Sequence, residues 1–258
     1  MNNGSDLPAG PKPLLDFAPQ SLFIRAMFLI VTGGEPPGKG LITDKASLAE
    51  RIIAADRGAE YCLDAGVIPH LVVGDRDSLG DGVLRRIEAS GIECRWFSPD
   101  KDQTDTEIAL REALLTGARL IEILGAVGDR FDHTLANVHL LYMAFRHGVP
   151  AFITTDSQLI FLVGSRASLE HAQGRTVSLL PLTERVAGIV LDGFAYELAD
   201  GVMEIGRPYG VSNVVLEPQA SVRVRDGVLL AVMTAGSRSG KARVVTESGV
   251  GVIVGHDE

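Results

Sequence analysis

Residues Arg51–Ser78 read RIIAADRGAEYCLDAGVIPHLVVGDRDS. Two apolar runs, Ile52–Ala55 and Leu71–Val73, each pass into glycine and aspartate within a few residues. A short, continuous apolar run bounded by such turn residues suits a strand buried on both faces. The same form recurs outward in both directions. AMFLIVTGG (26–34) precedes the pair; IECRWFSPDKD (92–102), RLIEILGAVGD (119–129) and AFITT (151–155) follow it. Between these runs the spacing is helical: Leu110, Ala113, Leu114 and Gly117 within 104–117, and Leu135, Val138, Tyr142 and Phe145 within 131–147. Strands alternating with helices imply βαβ units. The expectation for residues 26–164 is an α/β domain, a Rossmann-like, mostly parallel sheet flanked by helices.

Beyond Gly164 the pattern changes. Thr176–Leu180, Val186–Leu191, Asn213–Leu216, Ser221–Val224 and Val228–Met233 are short, β-rich and separated by turns, and Arg225-Asp226-Gly227 is a hairpin signal. Residues 165–235 therefore read as a second, all-β domain. Residues 1–25 are rich in Pro and Gly and read as a tail. Residues 236–258 read as an extension, with strand-like runs at Arg243–Val245 and Val250–Val254.

With 258 residues, 46% of them hydrophobic, the chain has ample material for a core without disulfide or structural metal. Its 24 basic and 33 acidic residues give a net charge of −9, which argues against nonspecific binding to nucleic acid or an anionic membrane. The two cysteines, Cys62 and Cys94, form no CxxC motif. That favours a reducing cytoplasm over secretion and argues against a zinc site. The first residues lack the pattern of a signal peptide, and no apolar run reaches the length of a membrane helix. No nucleic-acid or membrane partner is expected.

The acidic residues of the first half gather at strand ends: Asp56 after IIAA, Asp75 and Asp77 after LVVG, Asp102 and Asp105 after the run ending Trp96-Phe97, Asp129 and Asp132 after IEILGAVG. In an open α/β sheet those ends lie along one ligand-binding edge. Converging carboxylates repel unless a cation neutralises them, and a set of hard oxygens suits Mg²⁺ held together with substrate phosphates. Lys101 and Arg130 add positive charge suited to a polyphosphate, and Thr32-Gly33-Gly34 would let backbone amides approach a phosphate. Plainer readings exist. Asp75-Arg76-Asp77 also fits a solvated turn. Thr104 and Glu107 also make a capping box, with Asp105 serving only the helix dipole. His133 also fits a surface position, and Asn137 also fits a solvent-facing helix position. The repetition of acidic groups after successive strands favours the functional reading.

Four motifs in order, AADRGAEYCLDAGVIPHLVVGDRDSL, DKDQTDTEIAL, ILGAVGDRFDHTLANVHLL and GVSN, resemble thiamine pyrophosphokinase across roughly residues 28–233. The resemblance implies an N-terminal catalytic domain, a C-terminal β-sandwich and a homodimer with active sites at the subunit interface. The implied reaction moves a pyrophosphoryl group from ATP to the thiamine hydroxyl and leaves AMP, with Mg²⁺. Carried over to this chain, Asp75, Asp77, Asp102 and Asp105 match positions associated with Mg²⁺ and phosphates, with Asp75, Asp77 and Asp105 as the metal set. Asp56, Arg130, Asp132 and Asn137 match further active-site positions. Thr104 and His133 lie within the matched motifs and are counted with the ATP-binding residues. Ser212 and Asn213 match the thiamine-pocket segment. Some members carry Trp in the segment that reads GFAYEL here, which makes Tyr196 the aromatic wall of that pocket.

Such a reaction is in-line attack of a primary alcohol on the β-phosphorus, driven by positioning and charge neutralisation. Arg130 would stabilise the transferring group, and Asp105 or Asp132 would accept the hydroxyl proton. The alternatives are a 6-hydroxymethylpterin pyrophosphokinase, a dehalogenase-like phosphatase using Asp75-Arg76-Asp77-Ser78, and a non-catalytic nucleotide-binding module. Release of AMP separates a pyrophosphokinase from the phosphatase and the binding module, and the acceptor that is turned over separates thiamine from a pterin.

Overall fold

The computed structural model describes residues 27–98, 102–235, 240–246 and 249–255. Lys101, the expected tail at 1–25 and part of the expected extension lie outside them. The first half alternates strand and helix: β1 (Met27–Val31), α1 (Lys39–Leu48), β2 (Arg51–Ala55), α2 (Gly58–Asp64), β3 (Leu71–Gly74), α3 (Asp81–Ser90), β4 (Glu93–Trp96), α4 (Asp105–Leu115), β5 (Leu120–Leu124), α5 (Phe131–Arg146) and β6 (Ala151–Thr154). These strands pair parallel in the order β4-β3-β2-β1-β5-β6. The order reverses between β1 and β5, because the chain crosses back from the β4 edge through α4.

Alternation along each strand sets the layers. Phe28 and Ile30 of β1 join Ile121 and Ile123 of β5 in a core shared with α4 and α5. Leu29 and Val31 face a second core with Ile42, Tyr61, Cys62 and Ile87 from α1, α2 and α3. Helix α4 buries Thr106, Ala109, Leu110 and Ala113, the i, i+3, i+4, i+7 face of an amphipathic helix. In α5 the inward face is Asn137, Val138, Leu140, Leu141 and Ala144. The expected stripe is thus rotated by about one position, and Leu135 is 42% exposed.

The second half is antiparallel: β7 (Gln158–Val163), β8 (Arg166–Glu170), β9 (Thr176–Pro181), β10 (Arg185–Asp192), β11 (Leu198–Glu204), β12 (Asn213–Val214), β13 (Gln219–Arg223), β14 (Leu229–Thr234), β15 (Gly240–Thr246) and β16 (Val250–Gly255). Strand β7 pairs with β6, and β14, β9 and β12 follow, so one ten-stranded sheet runs through both halves. A second sheet, β11-β10-β13-β8-β15-β16, packs on its antiparallel end. Leu159, Phe161 and Val163 of β7, with Leu229, Ala231 and Met233 of β14, meet Leu169, Val186, Ile189 and Val222 across this sandwich. Ile160 and Leu162, the alternate residues of β7, instead join the core that includes Leu140 and Leu141 of α5. The strands β15 and β16 within the extension continue the second sheet from β8. Their entry is held by Arg175, whose buried guanidinium donates to the carbonyls of Ala235 and, at 2.7 Å, Gly240.

Candidate active site

The loops after β1 and β5 meet at the point where strand order reverses, the usual ligand edge of such a sheet. They are laced by backbone hydrogen bonds: Thr32 N–H to Leu124 C=O at 2.9 Å, Gly34 N–H to Gly125 C=O at 2.8 Å, and Glu35 N–H to Val127 C=O at 2.8 Å. A Cβ on Gly34 would lie 2.3 Å from the Gly125 oxygen, so glycine is what lets the two loops touch. The Gly34 amide, read from sequence as a phosphate donor, is taken by this contact. Three side chains secure the junction. Thr32 and Thr106 share a buried hydroxyl–hydroxyl hydrogen bond of 2.7 Å, which ties the first loop to α4. The Tyr61 hydroxyl donates to Gly34 C=O at 2.9 Å; burial pushes its pKa up. Asn137 donates to Ala126 C=O at 2.8 Å from inside the fold, not from a solvent face.

Beside this junction two carboxylates come together. Asp56 follows β2 with φ 54, a conformation rare outside glycine, while its N–H donates to Val73 C=O at 3.0 Å. Its Oδ2 lies 3.0 Å from where a Cβ on Gly33 would sit, and its Oδ1 is buried with no hydrogen-bond partner. Asp105 opens α4, and its Oδ1 is buried. Gly74, at φ 150, separates the two: a Cβ there would lie 3.3 Å from the Asp56 nitrogen and 3.6 Å from the Asp105 Cγ. A side chain at that point would press on the Asp56 backbone and touch the Asp105 carboxyl.

The remaining acidic residues are arranged differently. Asp75 is half-buried and caps a 3-10 turn at Arg76–Ser78, its Oδ1 accepting from Ser78 N–H at 2.7 Å. Asp77, Asp102, Asp129 and His133 are exposed. Among the described residues, no three His, Cys, Asp or Glu side chains are gathered closely enough to hold a metal, so the expected set Asp75, Asp77 and Asp105 is not a closed cage. Thr104 does cap α4, accepting from Glu107 N–H at 3.1 Å. Arg130 and Asp132 pair with each other at 2.7 Å, with side chains 70% and 64% exposed. The Arg130 guanidinium holds the Asp132 carboxyl below the usual carboxylate range.

A second cluster lies in the β half. Ser212 has φ 59, and its N–H donates to the Ser178 hydroxyl at 3.0 Å. Asn213 is buried and bonded to the backbone of Tyr196, whose side chain is exposed. Tyr61 and Thr106 went unmarked in the sequence reading. Both act through contacts with distant loop residues, and nothing local announces them.

The two halves match two family models in series. Residues 43–153 match the thiamin pyrophosphokinase catalytic domain, and residues 166–229 match the thiamin pyrophosphokinase vitamin B1 binding domain. Thiamine pyrophosphokinase of Bacillus subtilis is 30% identical over 208 residues, 79% of this chain and 96% of that protein. The chain belongs to the thiamine pyrophosphokinase family. Its fold agrees. The crystal structure of the Bacillus subtilis enzyme superposes with a TM-score of 0.72 at 28% identity, covering 81% of this chain and 98% of that one. The Geobacillus thermodenitrificans enzyme gives 0.71 at 29% identity, covering 81% and 97%. A Caenorhabditis elegans relative, thiamin pyrophosphokinase 1, is 23% identical over 175 residues, 64% of this chain and 70% of that protein.

Proposed function

We propose that this chain transfers the pyrophosphoryl group of ATP to the hydroxyl of thiamine, giving thiamine diphosphate and AMP. The reading is carried by the two matched domains in one chain, the first of which holds a buried, partnerless Asp56 oxygen beside Asp105 at the strand-order reversal. A buried carboxylate oxygen without a partner is costly unless a cation approaches it. That donor set fits Mg²⁺, a hard ion that needs only one or two carboxylates when phosphates and waters complete its shell. Asp105 would hold it with Asp56 beside it, Asp75 and Asp77 standing further out on the same edge; when bound, it would neutralise charge on the polyphosphate. ATP would lie along Gly33, Asp56, Asp102, Thr104 and His133, with Lys101 nearby in sequence, while Thr32, Gly34 and Asn137 would shape the junction behind it through their own hydrogen bonds.

The hydroxyl oxygen of thiamine bonds to the β-phosphorus, the bond from that phosphorus to the bridging oxygen breaks, and AMP leaves with the electron pair. The hydroxyl proton goes to a carboxylate. Asp105 or Asp132 would take it, the latter paired with Arg130 at 2.7 Å. Arg130 stabilises charge on the moving group once it turns from Asp132 toward the phosphates. Tyr196 and Ser212 would line the thiamine side, where an aromatic face suits a thiazolium cation.

A homodimer with shared sites fits the exposed Phe131 on α5 and the exposed Tyr196, Tyr209 and Val211 in the β half. The free cysteines fit the cytoplasm. Among the described residues no helix is long and apolar enough to cross a membrane. The test is AMP release from ATP and Mg²⁺ with thiamine, with a hydroxymethylpterin, or with no acceptor. Thiamine alone should give AMP and thiamine diphosphate; turnover confined to the pterin, or release of phosphate instead of AMP, overturns the reading.

A further inference from the structure

Asn213 matches a pocket segment, yet its geometry points away from ligand contact. The residue is only 6% exposed. Its Oδ1 accepts from two backbone N–H groups, Tyr196 at 3.0 Å and Val214 at 2.9 Å, and its Nδ2 donates to Tyr196 C=O at 2.7 Å. Both polar backbone groups of Tyr196 are therefore held by one side chain from another segment. A primary amide offers two acceptor sites and two donors. Three of the four are used, so Asn213 cannot turn to a ligand without releasing the loop.

The surrounding backbone is fixed as well. Ala195 N–H donates to Val214 C=O at 2.8 Å, and Phe194, buried in the sandwich core, bridges to Val215. Ser212 holds its left-handed φ of 59 while bonded to Ser178 of β9. On this anchored backbone the Tyr196 residue is 75% exposed. An exposed aromatic on a fixed backbone is a preset binding wall, because the ordering of the loop precedes ligand arrival.

We propose that Asn213 is a positioning residue for the acceptor: it fixes both backbone groups of Tyr196 so that the ring is presented to thiamine. The proposal rests on the thiamine reading above. Asn suits the task by chemistry. Asp would accept the two N–H groups but set a lone pair against Tyr196 C=O, and Ala would leave all three part-buried groups without this partner.

The test is a kinetic double-mutant cycle on the full chain, with ATP and thiamine. Asn213→Ala should raise KM for thiamine by about tenfold or more, while KM for ATP holds and kcat at saturating thiamine falls far less. Asn213→Asp should lie between Asn213→Ala and the unmutated chain. In a Tyr196→Ala background, Asn213→Ala should add less than about twofold, because the residue acts through Tyr196. Additive effects would mean that Asn213 touches the acceptor itself, and would overturn the proposal. So would an unchanged thiamine KM with a lowered melting temperature. Should Asn213→Ala fail to fold, Asn213→Asp with Tyr196→Ala closes the same cycle. Absence of thiamine turnover by the unmutated chain is a separate result, which overturns the acceptor reading.

Discussion

Two carboxylates, one inside a strand of the sheet and one just past the end of another, have opposite surroundings. Glu122, in the middle of β5, is 6% exposed; its Oε1 accepts from the ammonium of Lys45 on α1 and, at 2.6 Å, from the Thr154 hydroxyl at the end of β6. Asp56, just past the end of β2, has a buried Oδ1 with no partner and a left-handed backbone. Glu122 carries its own cation and joins a helix to two strands. Asp56 makes no ion pair among the described residues. The difference separates a charge placed for the fold from one placed for a ligand, and it can be tested by removing each in turn.

The largest effect on stability should come from Lys45. Lys45→Met leaves Glu122 as a buried charge without its cation, and breaking a buried pair from one side costs about 3–5 kcal/mol. Thermal or urea unfolding reads this loss. Lys45→Met combined with Glu122→Leu should recover most of it, because apolar replacement of both partners is often neutral. No recovery in the double variant would mean that the pair is not the source of the cost.

Asp56 should behave in the opposite way. Asp56→Asn keeps the volume and removes a charge that the fold does not neutralise. Unfolding without Mg²⁺ should therefore be unchanged or slightly stabilised, as at other sites where function is held against stability. Turnover should fall by about 10²–10³, the scale of one lost electrostatic group in an active site, or about 3–4 kcal/mol of barrier. Stabilisation by Mg²⁺ with ATP, which follows mass action on the folded state, should shrink with it. A destabilised but active Asp56→Asn would place this residue with Glu122 and erase the distinction.

The sequence carried this contrast unevenly. Ile52–Ala55 and Leu71–Val73 are legible because parallel strands buried on both faces are unbroken apolar runs. The position of Asp56 at a strand end follows directly. Strand β7, QLIFLV, is equally apolar for the same reason, since Leu159 and Phe161 face the sandwich while Ile160 and Leu162 face the core shared with α5. A run buried on both faces carries no mark of direction, so its antiparallel entry into the same sheet is not readable. Strand β11, LADGVME, is mostly half-buried, with Met203 alone fully buried, and shifts register against β10, which leaves no alternation to detect. Nothing local marks Glu122, because its partners lie 77 and 32 residues away. Tyr61 and Thr106 were hidden for the same reason.

The smallest effects on stability concern two adjacent residues at the start of α4. Thr104 accepts from Glu107 N–H at 3.1 Å and so satisfies one of the four donors that a helix leaves open at its first turn. Asp105 follows it with a buried Oδ1 and a Cγ 3.6 Å from the Cβ position of Gly74, toward Asp56. Both fit a helix start, and only geometry divides them: one side chain turns back to the helix, the other reaches the cleft. Thr104→Ala removes the cap and should lower stability by about 1 kcal/mol, while turnover stays within about threefold. Asp105→Asn keeps the volume, gives up a dipole interaction of about 0.3–1 kcal/mol and removes one of two neighbouring negative charges, so stability should change little. Its turnover should fall as that of Asp56→Asn does. Melting curves with and without Mg²⁺, beside kcat for each variant, separate the two. If Asp105→Asn melts lower and still turns over, the cleft loses Asp105 to the helix, and Asp56 stands there without its neighbour.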